Sequence, residues 1–161
     1  MSSASRIATA ASALALAGCG AASAPPLPGP VAGLECRPGL GTWGWAHVEL
    51  FVRGRVVLFP AGIGIAPPRR IDGAYVRGGR CRYPVWTEEP TGLIALRRPG
   101  LRLADLFALW GRRLPSDAVV HVDGRRRRAT AVALTRHAQI VVQIGRPGVR
   151  PHASYTFPPG H

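Results

Sequence analysis

Five histidines and eight carboxylates are the side chains from which metal or acid–base chemistry would have to be built in this chain of 161 residues. The histidines, His47, His121, His137, His152 and His161, are scattered. Only His47 with Glu49 and His121 with Asp123 form close His/carboxylate pairs, and two donors do not complete a coordination set. Glu88 and Glu89 are adjacent carboxylates, which divide acid and base roles when their environments differ. Neighbours in an extended segment point to opposite faces, however, so a solvated turn is the simpler expectation. His47, Glu49, Glu88 and Glu89 together are the one combination that would make a carboxylate-rich metal site. Taken singly, each histidine is expected to be a surface or strand-packing residue.

A serine nucleophile needs a base in reach, typically on a sharp Gly-flanked turn. In the segment expected to fold, the serines are Ser116 and Ser154, and neither has that setting. The run Gly62-Ile63-Gly64-Ile65 lacks the third glycine and the following helix of a phosphate-cradling loop. The residues therefore point to no catalytic set and no cofactor, and the expectation is a non-enzymatic protein.

Charge is the next signal. The net charge is +13, and all 21 basic residues are arginine. Such an excess suits an anionic partner such as a lipid surface or an acidic envelope polymer. Arginine with abundant alanine, glycine and proline is also what GC-rich coding produces, which competes with the functional reading. The sharpest feature is Arg125, Arg126, Arg127 and Arg128. These could grip phosphates, but following Asp123-Gly124 they read as the solvated flank of a hairpin. No aromatics interleave with them as single-strand stacking would want, so nucleic acid is not an expected partner.

The N-terminus gives an address. Arg6 precedes an apolar stretch from Ile7 to Ala17, too short to cross a ~30 Å bilayer as a finished helix and laid out as an export signal. Leu16-Ala17-Gly18-Cys19 follows and reads as a bacterial lipobox, with residues 1–18 removed and Cys19 carrying the lipid. An ordinary secretory signal, cut near Ala22 or Ala24, is the alternative. Two acyl chains would hold the protein stably on the outer face of the cytoplasmic membrane. Residues 19–42, rich in alanine, proline and glycine through Gly33, read as a flexible tether, and 43–161 as one α+β domain. In an exported chain the remaining cysteines, Cys36 and Cys81, are expected to form a disulfide.

The elements that would position these residues are short, as 20 glycines and 16 prolines imply. Alternation predicts a hairpin from His47–Val52 to Val56–Phe59 around Arg53-Gly54. Pro60–Ile65 continues as an irregular edge or loop that Pro67-Pro68-Arg69-Arg70 ends, and a strand pair follows from Arg82–Trp86 and Leu93–Leu96. Leu103, Leu106, Phe107, Trp110 and Leu114 make one apolar stripe, which predicts an amphipathic helix over about 101–114. Ala118–Val122, the arginine run and Gln139–Ile144 complete a third hairpin-like unit. Tyr155 and Phe157 are expected to pack the tail onto the sheet. The fold class is α+β: a small, mostly antiparallel sheet of hairpins with one helix packed on it, β-grasp-like in its order of elements.

These residues together resemble a family of exported, often membrane-anchored actinobacterial proteins of uncharacterised function. The matching pieces are Ala46–Gly54, Phe59–Ile65, Cys81–Val85, Leu101–Gly111, His137–Val141 and Tyr155–Gly160, nearly the whole exported domain. Relatives carry a His-Thr-His-Asp hairpin with a further histidine after the Cys-x-Tyr-Pro segment, which implies a metal site there. Here those positions read Trp86-Thr87-Glu88-Glu89 and Leu93-Ile94-Ala95, so the histidines are gone and His47 alone is left of the cluster. The resulting expectation is a lipid-anchored envelope binding module. A metal-handling protein with a degenerate site and a polyanion-binding surface protein are the alternatives.

Overall fold

The computed structural model describes residues 25–161 except Leu40 and Pro147; the stretch expected to be an export signal and Cys19 lie outside the described residues. The chain forms β1 (Gly44–Val52), β2 (Arg55–Val57), β3 (Arg70–Asp72), β4 (Tyr75–Gly78), β5 (Val85–Trp86) and β6 (Leu93–Leu96). These are followed by α1 (Leu103–Leu109), β7 (Val119–Val122), β8 (Arg125–Arg128) and β9 (Gln139–Ile144). It is a small α+β fold. The main sheet has the order β5-β6-β1-β9-β7-β8, with β2 also on β1, while β3 and β4 form a separate hairpin.

The sheet is mixed. Its neighbours pair antiparallel except at the centre, where β1 and β9 run parallel with Val48 opposite Ile140 and Leu50 opposite Val142. A parallel pair cannot be joined by a hairpin and needs a crossover, which α1 and the β7–β8 hairpin supply. Hairpin, helix, hairpin, and a last strand parallel to the first is the order of a β-grasp.

Alternation along β1 divides the molecule in two. Ala46, Val48 and Leu50 join Ile94, Leu96, Val120, Ile140 and Val142 in the main core, beneath Leu103, Leu106 and Phe107 of α1. Trp45, His47 and Glu49 face the other way, under the C-terminal tail.

The helix is shorter than the apolar stripe predicts. Gly111 stops it, with φ of 71°. The Gly111 N–H bonds to the Ala108 carbonyl at 2.9 Å and the Arg112 N–H to the Phe107 carbonyl at 2.8 Å. This is the Schellman arrangement, which satisfies carbonyls that the helix leaves open. At the start, Asp105 accepts the Arg102 backbone N–H at 2.8 Å. Seven residues would not hold a helix in isolation; packing of Phe107 and Trp110 on Phe59, with ring centroids 5.0–6.0 Å apart, holds this one.

The turns follow local chemistry. Arg53-Gly54 and Asp123-Gly124 all have positive φ, as two-residue hairpin loops with a primed turn require. The β3–β4 hairpin, in a stretch where the sequence predicts no strand, turns at Gly73-Ala74.

The tether expected over 19–42 is partly folded. Leu34 and Cys36 are buried in the core, Arg37 bridges Arg82, and Tyr83 Oη donates to the Gly29 carbonyl at 2.7 Å. The Cys36–Cys81 disulfide is formed and fixes this segment to the domain. An apolar Leu34 beside a crosslinked Cys36 has more to gain by burial than by solvation.

The crosslink spans a sequence separation of 45 residues, and Cys36→Ser/Cys81→Ser should lower unfolding free energy by about 4 kcal/mol in urea titrations. At Gly111 a Cβ would meet nothing within 4 Å, so Gly111→Ala tests the left-handed backbone alone. It should cost about 1 kcal/mol by the same measurement.

Candidate functional site

At the middle of β1 its neighbour changes: β6 covers Gly44–His47 and β2 covers Leu50–Val52. The change-over leaves a cleft of about 260 Å³ between the Thr91-Gly92 turn and Val57–Phe59. Phe51, Val56, Leu58 and Phe59 make its walls mainly apolar, and His47, Glu49 and His152 add the polar groups. Val56 and Leu58 are 64% and 63% exposed, among the most exposed large apolar side chains described.

The backbone of β2 is open on the same side. Val52 and Arg55 close the two-residue turn, so Phe51 and Val56 form the next, non-hydrogen-bonded pair. The N–H and C=O of Val56 therefore point away from β1, and no strand among the described residues pairs with that edge of β2.

His47 is the floor of the cleft and is fully engaged. It is buried, its ring stacks on Tyr155 with centroids 3.6 Å apart, and both ring nitrogens have partners. Nε2 lies 3.1 Å from the Thr91 carbonyl and Nδ1 lies 2.6 Å from Gln139 Oε1. Two oxygens facing the ring leave Gln139 Nε2 without a partner. Turning that amide over lets its NH₂ donate to His47 Nδ1 while His47 Nε2–H donates to the Thr91 carbonyl. Gly92 completes the floor. With φ of 86°, a Cβ there would come within 2.5 Å of the Val48 carbonyl oxygen.

Glu49 accepts from His152 Nδ1 at 2.9 Å, an ion pair when His152 is protonated. The remaining contacts of the tail repeat this pattern. His161 packs on Trp45, His137 on Phe157, and His137 Nε2 donates to the His161 carbonyl at 3.2 Å. Gln143 accepts from the N–H groups of Gly148 and Val149 and donates to the Val149 carbonyl. Tyr155 packs back onto β1, as the sequence suggests, while Phe157 rests on His137 in the turn before β9 and on Tyr155.

The carboxylate-rich metal set does not assemble. Among the described residues no three His, Cys, Asp or Glu side chains form a group able to hold a metal. Glu88 instead accepts from Trp86 Nε1 at 3.0 Å and pairs with Arg82 at 3.2 Å, so it is a held, half-buried carboxylate and not a solvated one. Glu89 accepts from Thr91 Oγ1. Asp123 accepts the Gln139 backbone N–H rather than pairing with His121.

The four arginines form a strand of their own, β8, at the sheet edge. All four are exposed, and alternation sends Arg125 and Arg127 to one face and Arg126 and Arg128 to the other. None takes part in an ion pair among the described residues. Ser116 and Asp117 line a shallow depression with Arg126–Arg128. Charge on an edge strand also discourages pairing with another sheet.

Comparison with protein-family models, curated proteins and solved structures finds no match.

His47→Ala removes a buried stacked ring and strands Gln139 and Thr91; the expected loss is about 2–4 kcal/mol, read by denaturant unfolding. Because neither nitrogen of His47 is free, added Zn²⁺ should leave the melting temperature unchanged, whereas a ligating site would raise it.

Proposed function

We propose that the protein is a lipid-anchored, non-enzymatic binding module of the bacterial cell envelope, on the outer face of the cytoplasmic membrane, which holds a partner protein at the cleft beside β2. The observation that carries this reading is the coincidence of an apolar cleft, two exposed apolar side chains and an unpaired strand edge at one place. An extended partner segment would pair with the outward backbone groups of Val56 and bury an apolar side chain against Phe51 and Leu58. Backbone pairing supplies affinity in this mode, and the pocket supplies selectivity. Arg53 and Arg55 flank the edge and favour an acidic segment. Leu16-Ala17-Gly18-Cys19 supports the address, and the disulfide is compatible with it.

A second reading, binding of an anionic envelope polymer, is favoured by the four exposed, unpaired arginines of β8. It requires affinity that falls steeply with salt.

Two measurements test the leading reading. Wild type should carry a diacylglyceryl mass and partition to membranes, while Cys19→Ser should do neither. A photocrosslinker placed at Val56 should give a discrete adduct in intact cells, and Leu58→Asp should reduce its yield about tenfold, the scale of one apolar anchor lost from an interface. Undiminished crosslinking in Leu58→Asp overturns the cleft as the binding site.

A further inference from the structure

The β3–β4 hairpin stands apart from the main sheet and presents an unusual surface. Ile71 is 71% exposed, the most exposed large apolar side chain among the described residues, and Tyr75 is 38% exposed. Between them the turn Gly73-Ala74 is exposed and uncharged. Behind this tip lie Arg69, Arg70 and Arg77, all exposed, and the half-buried Arg80. The one carboxylate of the hairpin, Asp72, is answered by Arg77 Nε at 3.4 Å, and the same guanidinium lies 4.2 Å over the Tyr75 ring.

The root of the hairpin is held firmly. Val76 is buried with Ile65 and Trp86, its N–H bonds to the Glu88 carbonyl at 2.8 Å, and Arg80 N–H bonds to the Ala66 carbonyl at 3.0 Å. Among the described residues nothing covers the tip.

The path of the chain bounds how far this hairpin can stand from Cys19. Pro25 lines a shallow depression together with Pro68, Arg70, Gly79 and Arg80, and Cys19 is six residues earlier in the sequence. Even fully extended, six residues reach about 20 Å. Acyl chains on Cys19 would therefore hold the bilayer within about 20 Å of the base of this hairpin.

We propose that the tip of the β3–β4 hairpin is a membrane-contact element that seats on anionic phospholipid. Arg70, Arg77 and Arg80 meet headgroup phosphates through charge-assisted hydrogen bonds. Tyr75 sits at headgroup level with its hydroxyl in water, and Ile71 reaches the acyl boundary. The contact would fix the orientation of the domain, leaving β2 and its cleft to a partner. The inference rests on the lipid-anchored reading for its geometry, but its chemistry is tested without the lipid.

The experiment uses the exported chain bearing Cys19→Ser, so that binding reports the domain and not the anchor. Flotation with phosphatidylcholine vesicles should recover little protein, and vesicles containing phosphatidylglycerol should recover much more. Ile71→Ser/Tyr75→Ser, which leaves the charge unchanged, should lower the partition coefficient about tenfold. Arg112→Gln/Arg113→Gln, which removes two exposed arginines beyond the end of α1, should change it less than twofold. A fluorophore on Ala74→Cys should shift to the blue only with the anionic vesicles. Equal recovery on both lipids, loss through the Arg112/Arg113 variant instead of the hairpin variant, or an unshifted fluorophore would overturn the proposal. The mass of wild-type Cys19 reports separately on the anchor, so failure of the hairpin and failure of the lipid-anchored reading are told apart.

Discussion

The parallel pairing of β1 with β9 is the constraint on which the rest of the structure depends. Two parallel neighbours at the centre of a sheet cannot be joined directly. The chain between them must leave the sheet, and it does so through α1 before returning as β7 and β8. Because β1 is paired on both edges and lies near the middle of the sheet, both of its faces need cover. The helix side is covered by α1 and its aromatic partners. The other side receives the tail, and the contacts of Trp45, His47 and Glu49 with His161, Tyr155 and His152 run antiparallel along the strand.

That second layer explains where the histidines go. Four of them, His47, His137, His152 and His161, lie between the sheet and the tail, each with a carbonyl, carboxylate or aromatic neighbour. An imidazole suits this position because it offers a flat apolar face for stacking and polar nitrogens for backbone or carboxylate groups. For His47, both of whose ring nitrogens have partners, no lone pair is left for a metal. The cleft arises from a different feature of the same strand: β6 and β2 share one edge of β1 without meeting, and the gap between them is roofed only in part.

Arginine is distributed according to the edges of the fold. The β8 edge is blunted by four charges, so it offers phosphate contacts but a poor template for another strand. The β2 edge is flanked by Arg55 but carries exposed Val56 and Leu58, the opposite character. The β3–β4 hairpin combines both, with apolar residues at its tip and arginines behind. Under the proposed lipid-anchored reading, one of these three surfaces would face lipid and the others the envelope.

Where local chemistry sufficed, the sequence determined the outcome. The hairpins at Arg53-Gly54 and Asp123-Gly124 and the apolar face of the helix could be read from neighbouring residues, and the disulfide from the number of cysteines in a chain expected to be exported. The β3–β4 hairpin had a signal in Asp72-Gly73, and the helix end had one in Gly111, but three-residue strands and a stripe that continues to Leu114 obscured them. Only tertiary structure decided the parallel centre of the sheet, the folding of Leu34 and Cys36 into the core and the fate of His47. Its partners Thr91, Gln139 and Tyr155 are 44 to 108 positions away in the chain. No local pattern encodes which distant carbonyl, amide or ring will meet a buried imidazole. That choice is made when the strands pair and the tail closes over them, because only then does each unpaired polar group find the partner that burial demands.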